Sequence, residues 1–291
     1  MKLRLHPYEI DGRPDVVVED HDGYRTSVRR LAEAFGDPFP ADVAELAAGG
    51  HVPALVDRFR AHRAAGRPGL DLGEVSLADT LLLTSVPQIW GVGLNFARHA
   101  SDLETAQPTA GPGSYLRPYS CVIPNGAPIV IPRQSSRVTA EAELGIVLAK
   151  DTKNVPADKA FEHILGFTVV LDMTAEDAIR ENPRHIPWSK GFDTFCSIGP
   201  CLVLRDQERC EDIGGVSIAT YRNGSLVARN TVDAMKYDPA RLVEYFSAGR
   251  TLPAGTVIST GTPGATVIAP GDTVRAEVSG VGVLEHPVEA A

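Results

Sequence analysis

Cysteine is scarce in this 291-residue sequence. The four present (Cys121, Cys196, Cys201, Cys210) are too few for a disulfide framework in a chain of this size and lack the paired spacing of a zinc knuckle. They read as reduced thiols. No run approaches the ~20 apolar residues of a membrane span, and the start, Met1-Lys-Leu-Arg-Leu-His6, lacks the apolar stretch of a signal peptide. The expectation is a cytoplasmic protein with no membrane partner. Basic blocks are missing too: 28 Lys and Arg stand against 37 Asp and Glu, for a net charge of −9, so nucleic acid is excluded as an expected partner. There is no Gly-Lys-Ser/Thr phosphate loop and no Gly-x-Ser-x-Gly nucleophile elbow. Gly91-x-Gly93 suggests a dinucleotide fingerprint, but its third glycine would fall at Phe96.

Hydrophobic residues make up 43% and charged residues 22%, which suits a globular chain long enough for a large core. Two modest amphipathic segments, Thr26 to Phe35 and Ala54 to His62, lie within residues 1–78, and Gly66-Arg-Pro-Gly69 looks like a connector. A strand is expected at Gln88-Ile-Trp90, then a short helix to about Glu104 with Asn95 as N-cap, then a Pro/Gly/Thr-rich loop over 105–114 that could move. From Pro118 onward the chain is strand-rich, with an Asn223-Gly224 hairpin turn and one clear helix capped by Asp238, begun by Pro239 and stopped near Gly249. Strands and helices do not alternate regularly, which argues against a doubly wound parallel sheet. The fold class expected is α+β, mostly β, with helices packed outside.

Within Val138-Thr-Ala-Glu-Ala-Glu-Leu-Gly-Ile-Val-Leu148, side chains alternate faces, so Glu141 and Glu143 share one face while Ala140, Ala142, Leu144, Ile146 and Leu148 share the other. Two like charges about 7 Å apart on an apolar strand repel and lose hydration. They are either exposed acids on an edge strand or ligands of a hard divalent cation. Asp172, expected to end the apolar run Gly166-Phe-Thr-Val-Val-Leu171 at a rim, adds a third carboxylate and points to Mg²⁺, Mn²⁺ or Ca²⁺. Lys190, in an arginine-rich chain, is a candidate to hold a substrate carboxylate or a developing enolate. His99 and Asp102 are three apart on the short helix, so the acid could orient the imidazole as a general base.

In order, Gly91-x-Gly-Leu-Asn-Phe-Ala-Arg-His99, Tyr115-Leu-Arg-Pro118, Val138-Thr-Ala-Glu-Ala-Glu-Leu144, Gly166-Phe-Thr-Val-Val-Leu-Asp-Met-Thr-Ala-Glu-Asp177, Lys190-Gly-Phe-Asp-Thr-Phe-Cys-Ser-Ile-Gly-Pro200 and Ser259-Thr-Gly-Thr-Pro263 resemble the fumarylacetoacetate hydrolase superfamily. The resemblance runs from about residue 88 to the C-terminus and is weaker before it. It implies a mixed β-roll catalytic domain over 79–291, a small N-terminal α/β domain over 1–78, and a homodimer. It also implies that Glu141, Glu143 and Asp172 ligate the metal, that Lys190 contacts substrate, that Thr262 binds the substrate carboxylate and that His99 is the catalytic His of a lid segment. The chain departs from the family pattern at three places. Asp102 stands where Glu is common, so Glu104 is an alternative partner for His99. Arg117, a candidate substrate contact, replaces a lysine. Glu176 replaces an arginine, removing a cation beside the site.

The family acts on 2-oxo acids and 1,3-dicarbonyls. The first expectation is therefore metal-dependent hydrolysis of a C–C bond in an acylpyruvate-like substrate: the ion polarises the carbonyl, His99 activates water, and Lys190 helps stabilise the metal-bound enolate left by cleavage. Decarboxylation, isomerisation or hydration of a 2-oxo acid on the same site is the alternative, as is an inactive metal-binding scaffold.

Overall fold

The computed structural model describes residues 3–71, 75–76, 81–205 and 213–291. The domain boundary expected near residue 78, and Cys210, lie outside the described residues.

The chain opens with a hairpin, β1 (Arg4–Ile10) and β2 (Arg13–Glu19), followed by β3 (Arg25–Ser27). The first amphipathic segment becomes α1 (Val28–Phe35), started by Ser27, whose side chain accepts from the Arg30 amide. It is followed by α2 (Val43–Ala48) and α3 (Val52–Ala64), whose Leu55 and Phe59 are fully buried as the spacing requires. A short β4 (Val75–Ser76) precedes β5 (Ile89–Gly93). The short helix α4 (Ala97–Asp102) is capped by Phe96, not Asn95. The Asn95 side chain is spent elsewhere: its amide donates to the carbonyls of Tyr237 and Thr260, and its oxygen accepts from the Tyr237 amide.

Then come β6 (Gly113–Arg117), β7 (Val122–Ile123), β8 (Ile129–Ile131), β9 (Val138–Leu148) and β10 (Ile164–Ala175). Two short helices, α5 (Glu176–Glu181) and α6 (Ile186–Ser189), lead to β11 (Cys196–Leu204). The Asn223-Gly224 turn, with φ of 51° and 76°, joins β12 (Ser217–Arg222) to β13 (Ser225–Thr231). Helix α7 (Pro239–Ser247) has the expected Asp238 cap, and β14 (Val257–Ser259), β15 (Ala265–Ile268), β16 (Thr273–Val278) and β17 (Gly282–Ala290) finish the chain.

The result is a mostly β α+β fold with two mixed sheets. The larger runs β3-β2-β1-β11-β10-β9-β14-β5-β6, and the smaller β13-β12-β16-β17-β8. The first three strands join the main sheet through β1 against β11. Alternation on β9 is as expected: Ala140, Ala142, Leu144, Ile146 and Leu148 enter one core, while Val147 enters a second core shared with Leu5, Leu31 and Phe59. Glu141 and Glu143 therefore sit on the second-core side. Strands β6 and β10 are separated in pairing order by β5, β14 and β9, about 19 Å if the sheet were flat. Yet Tyr115 and Arg117 of β6 touch Asp172 of β10. The sheet must curl into a roll, and the site lies inside the curl.

Candidate metal and catalytic site

Glu141 and Asp172 are directly opposed across the antiparallel β9–β10 pair, and Glu143 is the next same-face residue. Asp172 does not end its strand as expected. Three more residues follow, still paired with β9, and among them Thr174, polar but buried, accepts a hydrogen bond from Lys190. The three buried acids each present a carboxylate oxygen within 4.8 Å of the others.

Burial pushes Glu143 up to about 8, reinforced by the charges of Asp172 and Glu141 against the opposing Lys190. One of its oxygens accepts from Ser259 Oγ at 2.5 Å and from the Gly261 amide at 2.7 Å. Burial alone would raise Asp172 as well, but the cations of Arg117 and Lys190 outweigh it and hold its carboxyl below the usual range. Lys190 is the mirror case: burial would lower it, and the carboxylates of Asp172 and Glu141 raise it instead. Three buried acids thus share two buried cations, which leaves the cluster short of positive charge. An all-oxygen donor set short of positive charge fits a hard divalent cation.

Lys190 Nζ donates to Thr174 Oγ1 at 2.7 Å, to Asp172 at 2.8 Å and more loosely to Glu141 at 3.4 Å. It also lies 4.8 Å from the Tyr115 ring centroid. The Tyr115 hydroxyl donates to Asp172, and burial raises its pKa well above the ordinary value. That ring rests on the backbone of β5 at Gly91, where a Cβ would lie 2.0 Å from Tyr115 Cζ. The glycine read as part of a dinucleotide fingerprint is there to admit an aromatic ring.

Arg117, expected to contact substrate, is drawn back from the cavity. Its guanidinium donates to Asp172 and to the carbonyls of Lys190 and Phe195, because a buried fork of donors must be satisfied locally. It braces Asp172 from behind.

A cavity of about 420 Å³ opens over this cluster, with Glu141, Lys190, Tyr115, His99 and Thr262 in its wall. Thr262 Oγ1 accepts from the Gly264 amide at 3.2 Å and donates to the Gly264 carbonyl at 3.1 Å. His99 is brought to the cavity, but the acids are not brought to His99. Asp102 and Glu104 are exposed, and His99 Nδ1 is buried without a hydrogen-bond partner among the described residues. Glu104 has left the helix for a left-handed conformation, φ 51°.

Glu176 was expected to remove positive charge from the site. Instead it collects two cations: Arg180 donates to Oε1 at 2.8 Å, and Arg137 to the other oxygen. Arg180 reaches the cavity wall.

Tyr115, Thr174, Arg180 and Ser259 also belong to the site, although no motif in the sequence singles them out. Two of these carried a local signal. Tyr115 and Arg117 are two apart on a strand and so share a face, and Glu176 and Arg180 are four apart on a helix and so pair. Ser259 and Thr174 gave none, since their partners are distant in sequence.

The family model for Fumarylacetoacetate (FAA) hydrolase C-terminal matches residues 88–289. The chain is 33% identical over 199 residues to a mitochondrial oxaloacetate decarboxylase of Dictyostelium discoideum, covering 67% of this chain and 89% of that protein. It is 31% identical over 234 residues to a human mitochondrial oxaloacetate tautomerase, covering 77% and 73%. Among solved structures, a 5-carboxymethyl-2-hydroxymuconate delta-isomerase from Mycobacterium smegmatis aligns over 100% of this chain and 99% of its own, with TM-score 0.68 and 30% identity.

Proposed function

The chain belongs to the fumarylacetoacetate hydrolase family, and from that premise we propose that its site interconverts the keto and enol forms of a 2-oxo acid. The observation that carries this reading is the unpartnered His99 Nδ1. C–C bond hydrolysis asks the imidazole to activate a water, which a carboxylate on its far nitrogen would support. Neither Asp102 nor Glu104 supplies that contact. Proton transfer between carbon and oxygen of one bound molecule needs only an imidazole at the cavity wall. The relatives named as an oxaloacetate tautomerase and as a 5-carboxymethyl-2-hydroxymuconate delta-isomerase support the same reading, while the oxaloacetate decarboxylase shares the substrate of the first.

Glu141, Glu143 and Asp172 would hold a divalent ion of the Mg²⁺, Mn²⁺ or Ca²⁺ class, which supplies positive charge for the carboxylate and keto oxygens of such a substrate. Thr262, also in the cavity wall, would take the substrate carboxylate by turning its hydroxyl away from the Gly264 carbonyl. Lys190 stabilises the charge that develops on the carbonyl oxygen, using the N–H held loosely at 3.4 Å from Glu141. His99 carries the proton between C3 and that oxygen, so no atom is gained or lost. Leu94 and Leu103, at the two ends of the lid segment, exclude bulk water from the cavity.

The test is to give purified protein the enol form of oxaloacetate and an acylpyruvate, with Mg²⁺ and with chelator. Metal-dependent loss of the enol absorbance, abolished in His99→Ala, is expected. Cleavage of the acylpyruvate without enol turnover would restore the hydrolase reading.

A further inference from the structure

We propose that Cys121 and Cys196 form a thiol–disulfide site oxidised by hydroperoxides, and that closing the bridge weakens metal binding through Arg117. The coupling rests on the metal site described above; the thiol site does not.

The cysteines are scattered in the sequence, and topology brings two of them together. Val122 of β7 pairs with Cys196 of β11 in a parallel register, and Cys121 immediately precedes Val122. With strands ~4.8 Å apart and ~3.3 Å per residue along them, the Cα atoms of Cys121 and Cys196 lie about 6 Å apart. A disulfide spans such a separation without backbone movement. Both thiols are fully buried, in the core shared with Leu5, Leu31 and Phe59.

Their surroundings divide them into an attacking and a resolving partner. The Cys196 thiol hydrogen-bonds Cys121 and pulls it down to about 7, with the Arg117 charge adding to the effect and burial opposing it. The same bond, together with burial, raises Cys196 well above the ordinary value, so it keeps its proton. Arg117 Nη1 lies 3.8 Å from Cys121 Sγ. Cys201 is the internal comparison. It is buried too, but its thiol donates to the Val281 carbonyl at 3.3 Å and burial pushes it up to about 11. Packing of a small apolar side chain accounts for Cys201. It does not account for two thiols in contact beside a guanidinium.

The reaction balances with the peroxide as two-electron oxidant. The Cys121 thiolate attacks one peroxide oxygen, the O–O bond breaks, and the other oxygen leaves as hydroxide to take up the proton Cys121 gave. Cys196 then attacks the sulfenic sulfur, its proton leaves with the departing oxygen as water, and the S–S bond forms. Two thiols and one hydrogen peroxide give one disulfide and two waters. Hydrogen peroxide, close to water in size, suits thiols this deeply buried.

Arg117 carries the result to the acids. Its guanidinium reaches from Cys121 to Asp172, and it also donates to the carbonyl of Phe195, the residue before Cys196. In the reduced protein a Cys121 thiolate offsets part of the guanidinium charge. A disulfide carries no charge, so Arg117 then acts more fully on Asp172 and competes with a bound ion for that carboxylate.

The experiment treats purified protein with hydrogen peroxide, alkylates the remaining thiols after unfolding and maps the peptides by mass. A Cys121–Cys196 bridge is expected, with Cys201 alkylated. Cys196→Ser should leave a sulfenic acid on Cys121 that a cyclic dione traps, whereas Cys121→Ser should leave Cys196 unoxidised. Calorimetry should show Mg²⁺ bound about fivefold more weakly by the bridged protein, with affinity restored after reduction by dithiothreitol and its removal. Both thiols alkylated after peroxide, or a bridge to Cys201 or Cys210 instead, would overturn the thiol site. A mapped bridge with unchanged Mg²⁺ affinity would overturn the coupling through Arg117. Absence of Mg²⁺ binding in both redox states would overturn the metal reading and the coupling, and leave the thiol site standing.

Discussion

At the residue scale, the site is a contest between burial and charge, and Glu143 is where burial wins. Its carboxyl is pushed to about 8, while Asp172, two cations beside it, stays low. Ser259 and the Gly261 amide both act on one Glu143 oxygen, fixing the orientation of the other. Ser259→Ala should therefore weaken Mg²⁺ binding by about 10-fold to 100-fold, read by calorimetric titration, with little change in thermal midpoint. An unchanged affinity would mean that Glu143 is not oriented through this bond. The acids themselves were legible in the sequence, because strand alternation is a local rule and charges on an apolar strand break it visibly. The supports of those acids were not. Ser259 is 116 positions from Glu143, and no spacing rule links them. The His99–Asp102 pairing failed for the opposite reason. Helical spacing places two side chains on one face, but it does not stop the acid from turning to solvent.

At the element scale, β5 and β6 matter because they bring a second layer against the acid-bearing strands. Their pairing places Gly91 opposite Tyr115, and the tyrosine ring lies where any side chain at 91 would be. Gly91→Ala forces the ring aside, breaks its hydroxyl bond to Asp172 and removes its face from Lys190. The expected loss is about 1–3 kcal/mol of stability, measured by denaturant unfolding, together with lower turnover. Tyr115→Ala should remove most of the stability penalty of the alanine at 91, since the two changes act through one contact. Additive losses would show that the glycine serves some other purpose. Element positions were otherwise well marked in the sequence. The Asp238-Pro239 helix start and the Asn223-Gly224 turn appear where their capping and φ requirements put them. Strand β10 runs past its expected end, still paired with β9, and its Thr174 is polar by type yet pairs internally with Lys190, a partnership that hydrophobic patterning does not register.

At the scale of the whole molecule, the curl of the large sheet makes the site, and the N-terminal strands extend that same sheet through β1 and β11. The curl was invisible in the sequence, since it depends on which strands pair rather than on what each strand contains. The attachment of β1 carries its own pH liability. His6 of β1 is pulled down to about 4, chiefly by burial, with Arg4 and Arg25 adding to it and Glu19 opposing. In the unfolded chain the same imidazole titrates near its ordinary 6.5. Between those two values the unfolded chain holds a proton that the folded one refuses. Stability is thus full above about pH 6.5 and declines as pH falls toward 4. A difference of this size corresponds to about 3 kcal/mol over the full window. His286, fully buried and lowered by desolvation, acts in the same direction. Urea unfolding at pH 7.5 and pH 4.5 should show a drop that His6→Phe reduces by about 2 kcal/mol, because the phenyl ring cannot bind the proton. If wild type and variant lose equal stability between the two pH values, His6 titrates alike in both states, and the β1–β11 junction is not where acid first loosens this fold.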